Sequence, residues 1–259
     1  VKSSLFGYAD AGYTAFAASG LPSTRQGMVY VASNDGMLHA FNSTTGAEAF
    51  NYVPTAVMRN LYKLADKNYT AQHRYFVDGT PVAGDAYFGG AWHTIVVGGL
   101  NGGGNSYYAL DVTDPTNPKA LWEFTDANMG LTYGNPVISK LQDGTWVVFL
   151  SSGYNNDAPG QDGKGHLYVV DAGTGTLIRE IVTSAGNPAN PSGLAKISNW
   201  VDNTSIDNTT LRVYGGDLFG NLWRFDVNNI YGTAGYDAQN LVTFYANGGP
   251  VAPGTVTQP

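Results

Sequence analysis

Cysteine is absent from the 259 residues, which excludes disulfides and thiolate metal sites and leaves the redox compartment open. Charge is sparse as well. Charged residues make up 13% of the chain, and the 13 Lys and Arg are scattered singly without a basic stripe, which argues against a nucleic-acid partner. No apolar run approaches the roughly 20 residues of a spanning helix, so no transmembrane segment is expected. There is no initiator Met and no signal peptide; beginning at Val1, the sequence reads as a mature chain or an excised piece. A G-x-S-x-G nucleophile elbow and a phosphate-cradling loop are also missing. Gly102-Gly103-Gly104 has neither the Lys nor the following helix of a P-loop and reads as a flexible turn.

What is present points to many short strands joined by tight turns: 34 Gly, 12 Pro and 17 Tyr. The formal charge is −7, and abundant Asn, Thr, Gly and Tyr give the chain the composition of an exported surface protein. The stretch Val213–Asp226 places Gly, Asp and Asn between two apolar, aromatic runs, which is a β-hairpin signal. Val29–Asn42 is an earlier version, with Asn34-Asp35-Gly36 as a type I′ turn that needs positive φ. Two further versions end at Asp111 and Asp171.

A four-strand rhythm runs through the chain. Pro81–Phe88, His93–Gly98, Tyr107–Val112 and Ala120–Phe124 form one set, and Pro136–Lys140, Trp146–Ser151, His166–Asp171 and Leu177–Val182 the next. A third set is Leu194–Trp200, Leu211–Tyr214, Leu222–Asp226 and Val242–Tyr245. The third-strand exit residues Asn42, Asp111, Asp171 and Asp226 are separated by 69, 60 and 55 positions. Repeats of that order, four strands each, predict an all-β fold: a β-propeller of four-stranded antiparallel blades. A β-sandwich is the competing architecture, and it leaves the recurring hairpin unexplained.

The widest gap holds a helical insertion near residues 55–65, within Thr55–Tyr75, where Val57, Met58, Leu61, Tyr62 and Leu64 follow amphipathic spacing. One propeller domain or domain fragment, 1–259, is therefore expected. Residues 1–27 form an N-terminal arm or incomplete blade, with Ala9–Ala18 as a short helix or irregular segment. Residues 28–226 hold the recognisable blade repeats, and 227–259 the approach to a further blade. Four hairpin units either close a small ring or form a partial or truncated ring with exposed edges.

These motifs resemble the C-terminal, quinoprotein-like propeller of the PilY/PilC family, proteins of type IV pilus biogenesis and the pilus tip. The resemblance rests on Met28–Phe41, on Tyr75-Phe76-Val77-Asp78-Gly79 with Pro81, and on Val96-Val97-Gly98-Gly99 after Trp92. It continues through Tyr108–Pro115, Gly153-Tyr154-Asn155 and Tyr214–Asp226. It implies a non-enzymatic module of pilus assembly or retraction control (twitching motility) and of surface adhesion. The partners it implies are major or minor pilins and host surface or matrix proteins. The location it implies is the bacterial cell surface, outer membrane or pilus tip. The alternative is a pyrroloquinoline quinone dehydrogenase, because the same architecture hosts that cofactor with calcium.

The resemblance also implies a calcium loop just before Tyr214, at Asn203, Ser205, Asp207, the Thr209 carbonyl and Leu211. Only Asp207 supplies a carboxylate and Leu211 cannot coordinate, so the loop looks degenerate and no cofactor is expected. Starting the register at Asp202 puts Thr204 third and Ile206 fifth, which is worse. A second loop, Asn155 to Gly163, has oxygen groups but no ligand spacing. Asp35, Asp78, Asp217 and Asp226 are expected to hold turn geometry. His39, His73, His93 and His166 have no metal-site spacing and are expected in packing roles, as are Trp92, Trp122, Trp146, Trp200 and Trp223 between blades.

Overall fold

The residues that end each hairpin build one local cap. In the computed structural model, which describes residues 7–18, 20–203, 206–230, 235–246 and 249–250, Oδ1 of Asn42 accepts the N–H groups of Thr44 and Thr45. Oδ1 of Asp111 accepts that of Thr113, and Asp171 those of Gly173 and Thr174. Asp226 accepts those of Asn228 and Ile230. A short side-chain oxygen there satisfies donors that leave the ladder where the strand stops. That need is why Asp or Asn recurs at the exit.

Four blade-like antiparallel sheets result, each with its strands in sequence order, and Tyr245–Ala246 pairs with Gly249–Pro250 in a separate two-stranded one. The first has three strands, β1 (Met28–Ser33), β2 (Met37–Asn42) and β3 (Glu48–Tyr52). The second holds β4 (Val82–Phe88), β5 (Ala91–Gly99), β6 (Tyr107–Asp111) and β7 (Lys119–Phe124). The third holds β8 (Val137–Lys140), β9 (Trp146–Ser151), β10 (His166–Asp171) and β11 (Leu177–Val182). The fourth holds β12 (Ile197–Trp200), β13 (Arg212–Gly216), β14 (Asn221–Phe225) and β15 (Ala238–Thr243). In every sheet the register shifts between the exit-bearing strand and the outermost strand. The shift falls at Ala40/Phe41, Ala109/Leu110, Val169/Val170 and Leu222/Trp223. Such an irregularity increases local twist, as an outer blade strand requires.

Three buried clusters lie between successive sheets. Leu38, Val96 and Tyr108 belong to the first, Trp92, Tyr107 and Trp146 to the second, and Val147, Val213 and Phe225 to the third. The first strands β4, β8 and β12 approach one another, which places them innermost. Outward faces end the stack: Val29 and Val31 are exposed on β1, and Trp200 and Val242 on the fourth sheet. The four sheets are therefore an open arc of a β-propeller. Among the described residues no helix is long and apolar enough to cross a bilayer.

Four expectations need correction. The outermost strand of the fourth sheet is Ala238–Thr243, not Val242–Tyr245. As the outermost strand it has one neighbour and is mostly exposed, so apolar residues do not mark it. The insertion is not one helix. It comprises α3 (Thr55–Met58), after two earlier short helices described below, and 3₁₀ turns at Leu61–Ala65 and Tyr69–Ala71. In a 3₁₀ turn positions three apart eclipse, so Leu61 and Leu64 pack inward while Tyr62 is 72% exposed; Met58, at the end of α3, is 52% exposed. Trp200, 55% exposed, packs between no sheets, because it sits on the outward face of β12. Finally, Ser33 pairs with Met37 and only Gly36 of its loop has positive φ, +98°. The turn is a three-residue form rather than type I′.

The N-terminal arm carries α1 (Tyr13–Ala18) and α2 (Gly20–Thr24) and plugs into the second sheet. Buried Tyr13 donates its hydroxyl to Asp85 Oδ2 at 2.8 Å, and Thr94 donates to Asp85 Oδ1 at 2.5 Å. Arg25 Nη1 donates to Thr94 Oγ1, and Trp92 Nε1 to the Ala11 carbonyl.

Candidate functional site

The loop between β12 and β13 holds the residues singled out for calcium, apart from Ser205, which lies outside the described residues. Asn203 turns its carbonyl inward to accept the N–H groups of Ile206 and Asp207. Oδ1 of Asp207 accepts the N–H of Thr209 at 2.9 Å and its hydroxyl at 2.7 Å. The same oxygen lies 3.3 Å from the ammonium of Lys140, at the end of β8. Burial acts to raise the Asp207 carboxyl, but the Thr209 hydrogen bonds and the Lys140 charge outweigh it, and its pKa is lowered.

Packing locks the rest of this loop. Lys140 and Asn208–Thr210 exchange backbone hydrogen bonds, and Ser139 Oγ contacts both the Asn208 carbonyl and Thr210 Oγ1 at 2.6 Å. Leu211 donates its N–H to the Trp200 carbonyl, 2.8 Å away, so its place is structural. Among the described residues no three His, Asp or Glu side chains come together as a metal site.

Three of the four histidines are held by carboxylates. His166, 1% exposed, sits between Glu180 Oε1 at 2.6 Å and Asp162 Oδ1 at 2.9 Å. His39 is clamped the same way by Glu48 at 2.6 Å and Asp35 at 2.9 Å. His93 Nδ1 meets Asp111 Oδ2 at 2.8 Å. The i, i+4 spacing of Asp35 with His39 and of Asp162 with His166 was the available signal in the sequence. The turn aspartates act locally as expected at Asp35, Asp217 and Asp226. Asp78 instead accepts the Asn34 side chain across to the first hairpin. Asp217 also accepts Trp223 Nε1 at 2.8 Å.

Of the concave regions among the described residues, two lie beside segments singled out above. Near the inner strands, Thr80, Asn101, Tyr133, Asn135, Tyr154 and Lys196 line a cavity of about 220 Å³. A quinone with three carboxylates needs several cations, a stacking platform and a neighbouring metal. Lys196 is the one cation of that lining, and Tyr133 and Tyr154 meet each other at 5.8 Å and 41° rather than forming a flat slot. That lining supplies neither several cations nor a flat slot. The larger region is a trough beside the insertion, where two cavities of about 570 and 300 Å³ share Asn60 and Gly103 as walls. Its floor is close-packed: a Cβ on Gly103 would lie 1.7 Å from the Phe76 carbonyl oxygen.

Comparison with known proteins gives these features a family. The family model described as the PilY1 beta-propeller domain matches residues 8–253. Type IV pilus biogenesis factor PilY1 of Pseudomonas aeruginosa strain UCBPP-PA14 is 44% identical over 208 residues, 78% of this chain and 17% of that protein. A PilY1 homolog of Xylella fastidiosa is 39% identical over 250 residues, 91% of this chain and 16% of that protein. The crystal structure of the Pseudomonas aeruginosa PilY1 C-terminal domain superposes with a TM-score of 0.69 at 38% identity. It covers 83% of this chain and 41% of that one. The chain thus spans about one sixth of the curated relatives' length. By the extent of the family match and the level of identity, this chain belongs to the PilY1 β-propeller family.

Proposed function

We propose that this chain is a non-enzymatic propeller module of type IV pilus biogenesis, working at the cell surface or pilus tip through contacts with pilus subunits. The observation that carries the reading is family membership at 39–44% identity to proteins named as pilus biogenesis factors. Their names describe assembly, not a reaction. The geometry is in keeping: the inner cavity is a poor quinone site, and the polar side chains of the β12–β13 loop are engaged in holding it shut. Fold alone licenses no dehydrogenase chemistry. Roles in adhesion to host or matrix proteins and in retraction control belong to the same proposal.

Deleting residues 8–253 from the chromosomal gene and counting surface pili by electron microscopy tests the reading. Loss of pili restored by the intact gene is expected. An unchanged pilus count, or quinone-dependent dehydrogenase activity of the purified chain, would overturn it.

A further inference from the structure

The insertion inverts the charge of the molecule around it. Residues 55–75 carry Arg59, Lys63, Lys67 and Arg74 against the single acid Asp66, in a chain whose formal charge is −7. Arg59 lines one cavity of the trough and Arg74 the other, and both are exposed. Lys63 bonds the shared wall residue Asn60 at 2.8 Å. The one acid of the lining, Glu123, is already engaged: its Oε1 accepts the Tyr52 hydroxyl and the Thr55 N–H, each at 2.7 Å.

Tyr75 lines the second cavity beside Arg74, and Met58 and Tyr62 neighbour Arg59 and Lys63 in the sequence; the three are exposed by 53%, 52% and 72%. Exposed Tyr, Met and Arg together are the side chains enriched where proteins bind proteins. The trough is also held in shape. Val57 and Phe76 are buried in the core between the first two sheets, and Phe76 N–H donates to Asn34 Oδ1 at 2.9 Å.

We infer that this trough docks an extended acidic peptide segment of a partner protein, with apolar side chains interspersed among its carboxylates. Charge complementarity selects the acidic partner, since opposite charge steers encounter and fixes register. The exposed Tyr75 of the lining selects a peptide over a polyanionic sugar, which has no apolar side chain to lay against it. Four cations on a short insertion, without a continuing basic stripe, do not make a nucleic-acid track. The inference rests on the reading of the chain as a protein-contact module and names the surface and chemistry of that contact.

Selection of a random twelve-residue phage-displayed library on the purified chain tests it without any pilus present. Enriched peptides should be net acidic with aromatic or long apolar residues. The Arg59→Glu/Arg74→Glu variant should weaken their binding by about tenfold or more in fluorescence anisotropy. A Lys119→Glu/Lys164→Glu variant, with the same charge change elsewhere, should bind as the parent does. Unchanged thermal unfolding of both variants confirms that they fold. Neutral or basic enriched peptides, no enrichment, equal loss in both variants, or acidic peptides indifferent to the Arg reversals would each overturn the assignment. So would trough-dependent binding of an alginate oligosaccharide in preference to the peptides. Those outcomes leave the pilus count untouched, so the two readings fail separately.

Discussion

The ammonium of Lys140 lies 2.5 Å from Oδ1 of Asp10 and 3.3 Å from Oδ1 of Asp207, tying the N-terminal arm and the β12–β13 loop to the end of β8. A fixed monovalent cation thus faces Asp207, the one carboxylate among the positions that the family resemblance implies for calcium. A divalent ion entering there would have to displace an internal partner as well as shed its own water.

Calcium titrated calorimetrically into the chain is therefore expected to bind no tighter than about millimolar, because tight sites gather several carboxylates. Combining Leu211→Asp with Lys140→Ala should raise the affinity. Submicromolar binding by the unmodified chain, abolished by Asp207→Ala, would show that the loop is a true calcium site.

Gly36 is constrained twice. Its φ of +98° disfavours any side chain, and a Cβ there would lie 2.2 Å from Leu61 Cδ2 of the insertion. Gly36→Val should lower stability by about 1 kcal/mol or more. Denaturant unfolding reads this out; an unchanged midpoint would mean that hairpin and insertion are not packed together.

His39 introduces a pH dependence. Its hydrogen bond to Glu48, opposed by burial and aided by Asp35, raises its pKa above the ordinary 6.5. A raised folded-state value favours the native state below 6.5, and that contribution is lost as pH rises through the folded value. The stability advantage of the parent over His39→Gln should be larger at about pH 6 than at about pH 9. An advantage independent of pH would show that the clamp carries no net charge interaction.

Tyr13 anchors the arm through buried Asp85. Tyr13→Phe should cost about 1–3 kcal/mol by removing a donor from a buried carboxylate. A neutral substitution in thermal unfolding would indicate that water or another side chain replaces it.

What was legible in the sequence was local. Strand exits at Asn42, Asp111, Asp171 and Asp226 stood out because an exit cap needs a short oxygen-bearing side chain within a few residues. Inner and middle strands such as Trp146–Ser151 announced themselves because both faces are buried. The outermost strand Ala238–Thr243 did not, having little burial to satisfy. Contacts such as Tyr13 with Asp85, 72 positions apart, or Lys140 with Asp207, leave no periodic trace. The trough was invisible for the same reason: Arg59 and Arg74 read as scattered charges until the 3₁₀ turns brought their segments against Gly103.

If the propeller works by binding pilus subunits, as proposed, purified pilins should bind it. Biolayer interferometry of the immobilised chain against each purified major and minor pilin of its own organism tests it most directly. Saturable binding to at least one pilin, indifferent to added pyrroloquinoline quinone and calcium, is the predicted result. No binding to any pilin, with saturable uptake of the quinone instead, would mean that the chain is not a pilin-binding module.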